Sequence, residues 1–186
     1  VSPYLIYAGT ASEWQGASVF AEAMRSIAST DSDLQVVFVG QGTEWDAIGE
    51  IAAELQTIHG RQVVVQVPPC SPSRVAHLLA GAEGALVSIV PGQGYDFAYP
   101  TKVLASLSAG KPVLFAGRGP VVDDIDNAGL GIATSHDPVS AAEGMTSLLK
   151  ADAERFPKEM LRDWVVKNRS MRRMGQKAAD FLLSIG

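Results

Sequence analysis

Leu34-Gln35-Val36-Val37-Phe38-Val39-Gly40-Gln41-Gly42 leads directly into a patterned segment from Trp45 to Ile58. The first part is a nearly continuous apolar run that ends in glycines. The second carries Ile48, Ile51, Ala52, Leu55 and Ile58 at helical spacing. An unbroken apolar run, unlike an alternating one, belongs to a strand covered on both faces. Such a strand followed at once by an amphipathic helix is half of a βαβ unit.

The same alternation extends in both directions. Upstream stand Tyr4-Leu5-Ile6-Tyr7 and a helical pattern from Ala17 to Ala28. Downstream come apolar runs at Val63–Val67, Ala85–Val90 and Pro112–Phe115, with a weaker one at Gly131-Ile132-Ala133. Helical patterns fill the intervals at Ser73–Ala80, Thr101–Ala109 and Ser140–Leu149. Strands separated by helices pair in parallel through right-handed crossovers. The expected fold is α/β, a Rossmann-like doubly wound parallel sheet of about six strands with helices on both faces. Beyond Lys150 no strand pattern remains, and Glu159 to Ile185 predicts one or two C-terminal helices broken near Asn168. The basic cluster Lys167, Arg169, Arg172 and Arg173 reads as a solvated helix face. No internal repeat or dividing linker is present, so residues 1–186 are expected to form a single domain.

Composition narrows the function. With 186 residues, 47% of them hydrophobic, the chain can bury a core without disulfides or metal. One cysteine, Cys70, excludes an internal disulfide framework and a zinc cluster. The formal charge of −5 argues against a nucleic-acid partner, which calls for a basic footprint. No apolar run approaches the roughly 20 residues of a membrane span. The start, Val1-Ser2-Pro3, has neither a signal-peptide pattern nor an initiator methionine. The chain is therefore expected to be cytoplasmic and a piece of something longer.

In an open parallel sheet, ligands bind beyond the carboxyl ends of the strands. The loop after the first strand is Gly9-Thr10-Ala11-Ser12-Glu13-Trp14-Gln15-Gly16, and helix-start amides there suit an anion. It is not GxGxxG, so a nicotinamide fingerprint is missing. Gly40-Gln41-Gly42 reads as turn chemistry before a helix capped by Thr43, with Glu44 and Asp46 repelling any phosphate at that point. Pro68-Pro69-Cys70-Ser71-Pro72 is stiff enough to present backbone groups to a flat ring. The richest stretch is Gly92-Gln93-Gly94-Tyr95-Asp96-Phe97-Ala98-Tyr99, after which Pro100-Thr101-Lys102 opens a helix. Proline costs nothing in a first turn, and free amides beside Lys102 would suit a diphosphate. His59, His77 and His136 form no evident catalytic cluster.

These pieces together resemble the C-terminal, donor-nucleotide-binding domain of a GT-B-fold glycosyltransferase, similar to family 4 (group 1). The resemblance rests on Ile6-Tyr7-Ala8-Gly9 with Gln15-Gly16, and on Val37-Phe38-Val39-Gly40-Gln41-Gly42. It continues through Leu78–Leu86, Pro100-Thr101-Lys102-Val103-Leu104, Leu107-Ser108-Ala109-Gly110-Lys111-Pro112-Val113 and Gly129-Leu130-Gly131. It implies an enzyme that moves a sugar from a nucleoside diphosphate to a glycan or lipid-linked acceptor, as in polysaccharide biosynthesis. The nucleotide-sugar is a substrate, and neither cofactor nor metal is implied. By this resemblance the base lies against Val67 and Pro68 through Cys70. The diphosphate contacts Gly9, Thr10, Gln15 and Gly16, and also Pro100, Thr101 and Lys102. The sugar faces Gly92, Gln93, Gly94, Tyr95, Asp96 and Tyr99. Lys102 is the implied catalytic residue. An absent N-terminal domain would hold the acceptor and make any membrane-face contact, and the isolated domain would be inactive.

The sequence also departs from that family. Its usual pair of glutamates falls, counting back from Gly110, on Ala105 and Phe97, leaving Ser106 or Asp96 as substitutes for the ribose carboxylate. Where the first loop usually presents an arginine and a lysine, Thr10 and Gln15 stand. A degenerate GT-B domain acting as a binding or scaffolding module is the alternative.

Overall fold

A computed structural model describes residues 2–30, 33–152 and 154–184. Val1 and the expected helix end at Ile185 lie outside the described residues. In chain order the elements are β1 (Tyr4–Thr10), α1 (Ser18–Ile27), β2 (Gln35–Gln41), α2 (Trp45–His59), β3 (Val64–Val67), α3 (Pro72–Gly81) and β4 (Gly84–Ser88). They continue as α4 (Thr101–Ser108), β5 (Val113–Ala116), α5 (Pro120–Ala128), β6 (Gly131–Thr134), α6 (Pro138–Leu149), α7 (Lys158–Arg169) and α8 (Met171–Ser184).

The six strands form one sheet in the order β3-β2-β1-β4-β5-β6, and every pairing is parallel. The doubly wound α/β fold is therefore the one the apolar runs predict. Alternate residues of each strand feed opposite layers. Leu86 and Leu114 join the core made with Phe20, Met24, Ile48 and Met145 from α1, α2 and α6. Val87, Val113 and Phe115 join the opposite core with Val103, Ile125 and Leu161 from α4, α5 and α7. Leu79 of α3 covers Ile6 and Val37 on that second side. Burial on both faces is why these strands carry no polar alternation.

Three local expectations change. Residues Pro120–Ala128 form α5, which helical spacing did not single out, because only Val121 and Ile125 are buried among its aspartates. Thr43 does not cap α2; Glu44 holds the N-cap position without a side-chain bond to that helix. The C-terminal break falls at extended Ser170, one residue past α7. Helix α7 packs on α4, where Arg162 Nε donates to the carbonyl of Ser108 at 3.2 Å. Helix α8 has no buried residue and exposes Phe181, Leu182 and Leu183. Among the described residues no helix is long and apolar enough to cross a membrane.

Candidate functional site

Strand order reverses between β1 and β4, so the loops after these two strands diverge and leave a crevice. A cavity of about 390 Å³ opens there, lined by Gly9 and Thr10 of β1, by Thr101, Lys102 and Ser106 of α4, and by Leu79 of α3. The Lys102 side chain lies flat across Gly9; a Cβ on that glycine (φ +130°) would sit 2.7 Å from Lys102 Cε. The positive φ favours glycine at this position, and the missing side chain leaves room for the lysine to reach over the strand end.

The hydrogen-bond network around Gln15 fixes the orientation of its amide. Its nitrogen donates to Ser12 Oγ at 3.1 Å and to the Thr10 carbonyl, and its oxygen accepts from Lys102 Nζ at 2.6 Å. Gln15 is buried. Nζ also stands over the Tyr7 ring, 5.1 Å from its centroid. These neighbours are neutral, and no carboxylate pairs with the ammonium among the described residues. Burial therefore dominates and pulls the Lys102 pKa down from 10.5 to about 8. The same desolvation pushes the Tyr7 phenol up, assisted by the negative charge of Glu44.

Two helix starts, those of α1 and α4, flank the crevice, and they differ. At α1 the Glu44 carboxylate accepts from Ser18 N and from Ser18 Oγ, both at 3.0 Å. The start of α1, expected from the sequence to suit an anion, already holds the protein's own. At α4 the N-cap is Pro100, and no side chain caps the helix. Val103 N donates to the Pro100 carbonyl at 3.0 Å, and the amides of Thr101 and Lys102 ahead of it are left to solvent or ligand, with Lys102 one residue into the helix. An anion in the crevice meets its donors at α4.

The glycine-rich loop after β4 is tied down from within. Gly92 N donates to both carboxylate oxygens of Asp96, at 3.2 and 3.1 Å. Tyr95 stacks on Trp14, with centroids 4.5 Å apart, which joins this loop to the one after β1. Gly92, Gln93 and Gly94 are exposed on its outer side. Tyr99 turns the other way, under Arg169 of α7, whose guanidinium is 4.5 Å from the ring centroid and pairs with Asp124. Gly16 sits where the loops converge: His136 Nε2 is 3.0 Å from its carbonyl oxygen.

Beside the main cavity, a second space of about 300 Å³ is bounded by Gly9, Gly40, Gln41, Pro69, Cys70 and Val75. An apolar groove of about 590 Å³ continues from it between α3 and α4, past Cys70, Val75, Leu79, Ala105 and Ala109. Val67 and Pro68 precede this wall and do not line it; Pro69 and Cys70 do. Residues of α3 were not among the sequence candidates, since only the layer geometry turns Val75 and Leu79 toward the crevice. Ser106 is buried, and its hydroxyl donates to the Lys102 carbonyl at 2.7 Å. With Asp96 bonded to Gly92, neither residue considered as a replacement for a ribose carboxylate is uncommitted. Among the described residues, no group of three or more His, Cys, Asp or Glu could hold a metal.

Solved structures share this architecture. TarM from S. aureus, in complex with fondaparinux, alpha-GlcNAc-glycerol and UDP, matches 96% of the chain with a TM-score of 0.75 and 14% identity. HepE from Anabaena, in complex with UDP and glucose, matches 98% with a TM-score of 0.74 and 16% identity. A glycosyltransferase from Rickettsia africae matches 97% with a TM-score of 0.74 and 17% identity. The chain spans 35%, 49% and 47% of these three proteins, respectively. No curated protein matches the sequence at a significant level. The family described as "Glycosyl transferases group 1" matches residues 2–151. That match covers β1 through the end of α6, every element that builds the crevice, and the chain belongs to the group 1 glycosyl transferases.

Proposed function

We propose that this chain is the C-terminal, donor-binding domain of a two-domain GT-B glycosyltransferase of the family 4 type. It binds a nucleoside-diphosphate sugar, and its partner is an N-terminal domain that presents a glycan or lipid-linked acceptor, as in polysaccharide assembly. One observation carries this reading: Lys102, half-buried and without an anionic partner among the described residues, stands beside the uncapped start of α4 in the switch-point cavity. A buried cation flanked only by neutral groups is a site prepared for an anion. The diphosphate is the part of the donor that fits it, and relatives of the same fold have been solved with UDP.

Sugar transfer leaves negative charge on the departing diphosphate. The Lys102 ammonium and the first amides of α4 are fixed before the reaction, so they stabilise charge that grows in the transition state. The loop at Gly92-Gln93-Gly94 faces the sugar, and the acceptor comes from the N-terminal domain. Without that domain the chain binds donor and transfers nothing. The enzyme works in the cytoplasm, and contact with a membrane face belongs to the other half.

A second reading, a GT-B domain that scaffolds without transferring, is favoured by the neutral Thr10 and Gln15 and by Ala105 and Phe97 in place of carboxylates. Thermal melts with UDP, GDP, ADP, TDP and CMP separate the two. A nucleotide at 100 times its Kd adds about 2.7 kcal/mol, or roughly 5–10 °C for a domain of this size. Selective stabilisation by one nucleoside diphosphate is the expected result. No shift with any of them transfers the assignment to the scaffold.

A further inference from the structure

The cavity at Lys102 does not end at the phosphate position. It shares Val75, Leu79 and Ala105 with the groove between α3 and α4, and that groove leads to Pro69 and Cys70 at the end of β3. A nucleoside whose phosphates rest at Lys102 has this channel open to it, with the flat base reaching the Pro69-Cys70 turn. Its pentose then passes over α4 one turn beyond Lys102, at Ala105. The wall there is the Ala105 methyl; the one hydroxyl lining the groove beyond it, that of Ser108, is exposed to water rather than buried. The neighbouring Ser106 hydroxyl is turned inward onto the Lys102 carbonyl. The Asp96 carboxylate is held in its own loop by Gly92. Neither space along this path has an Asp, Glu, Lys or Arg in its lining once Lys102 is passed.

We infer that the pocket takes 2′-deoxyribonucleoside and ribonucleoside diphosphates with nearly equal affinity, so that its donor class includes deoxynucleotide sugars. The inference rests on the donor-binding reading above. The physical ground is the asymmetry of hydrogen bonding: a site discriminates strongly for a hydroxyl only where a buried partner is left unpaired by its absence. Here the partner is Ala105, and removal of the 2′-hydroxyl strands nothing.

Matched pairs test it: UDP against dUDP, GDP against dGDP and ADP against dADP, titrated calorimetrically into this chain and into its Ala105→Glu variant. Ala105 is exposed on a helix, and glutamate is a good helix former, so the variant retains the fold. For the base that binds, the expected ribo-to-deoxy ratio is below about fivefold in the native chain and above about tenfold in the variant, the difference a charge-assisted hydrogen bond makes. A native ratio above about fivefold overturns the inference and leaves the donor-binding reading intact. A variant whose ratio does not rise shows that the pentose does not cross Ala105, which also overturns it. If no diphosphate of either kind binds at millimolar concentration, the donor-binding reading itself fails, and the inference fails with it.

Discussion

Lys102 Nζ donates to the side-chain oxygen of Gln15 at 2.6 Å, across the line where the strand order reverses. The bond joins the helix after β4 to the loop after β1, the two segments that bound the crevice. Its acceptor is neutral, so it orients the ammonium without neutralising it.

Nucleotide affinity should therefore depend on pH. In the free protein Lys102 titrates near 8, and a bound diphosphate favours the ammonium and raises that value. Binding above pH 8 takes up a proton, and Kd rises by at most about tenfold per pH unit there. Calorimetry in buffers of different ionisation heat measures the uptake. Lys102→Arg should flatten the profile, since a guanidinium does not titrate in this range. For stability the sign is opposite. The folded pKa lies below the unfolded one, so between about pH 8 and 10.5 the unfolded chain holds more protons. The Lys102 contribution to stability then increases with pH through that window.

Lys102→Met should separate binding from folding. The thioether chain can keep packing over Gly9 and the Tyr7 ring while the desolvated charge disappears. The melting temperature of the free protein should hold or rise. Diphosphate affinity should fall by roughly 10- to 100-fold, the value of a hydrogen bond to a charged group. In a full-length enzyme the same change should lower kcat more than it raises KM. A variant that binds nucleotide normally would remove Lys102 from the site.

Glu44→Ala should destabilise the fold by about 1–2 kcal/mol, the cost of losing a cap. The carboxylate ties the start of α1 to the segment before α2 through both Ser18 donors. Glu44→Gln keeps an acceptor for one of these and should lose less. Chemical denaturation of the three proteins ranks them. Equal midpoints would show that water caps α1 as well as Glu44 does.

The strands were legible in the sequence because both faces of the sheet are covered, which turns each strand into a plain apolar run. Helix α5 was not, since two buried residues among aspartates give no recognisable stripe. At the site, glycines and the Pro100-Thr101-Lys102 start could be read because backbone conformation is written locally. Partnerships across the sheet could not. Glu44 lies 26 positions from Ser18, and its nearness to α2 made it read as a first-turn carboxylate of that helix rather than as the partner of α1. Gln15 appeared as a neutral stand-in for a missing cation, whereas it serves to hold the cation supplied by Lys102. Ser106 looked available until its hydroxyl was seen bonded to the carbonyl four residues earlier.

Gly16 offers a test of how the two loops are locked together. Its φ of +59° is left-handed, and a Cβ there would come within 2.5 Å of both His136 Nε2 and Val90 Cγ2. Gly16→Ala thus incurs a conformational cost of about 1–2 kcal/mol and an overpacking cost of about 1–3 kcal/mol. The melting temperature should drop by roughly 5–15 °C for a chain of this length. Truncating the histidine removes one of the two obstacles but not the left-handed backbone. His136→Ala should therefore cost less in the Gly16→Ala background than alone, with a coupling of about 1 kcal/mol in a double-mutant cycle. Strictly additive effects would mean that His136 swings aside freely, and that Val90 alone sets the position of the β1 loop over the crevice.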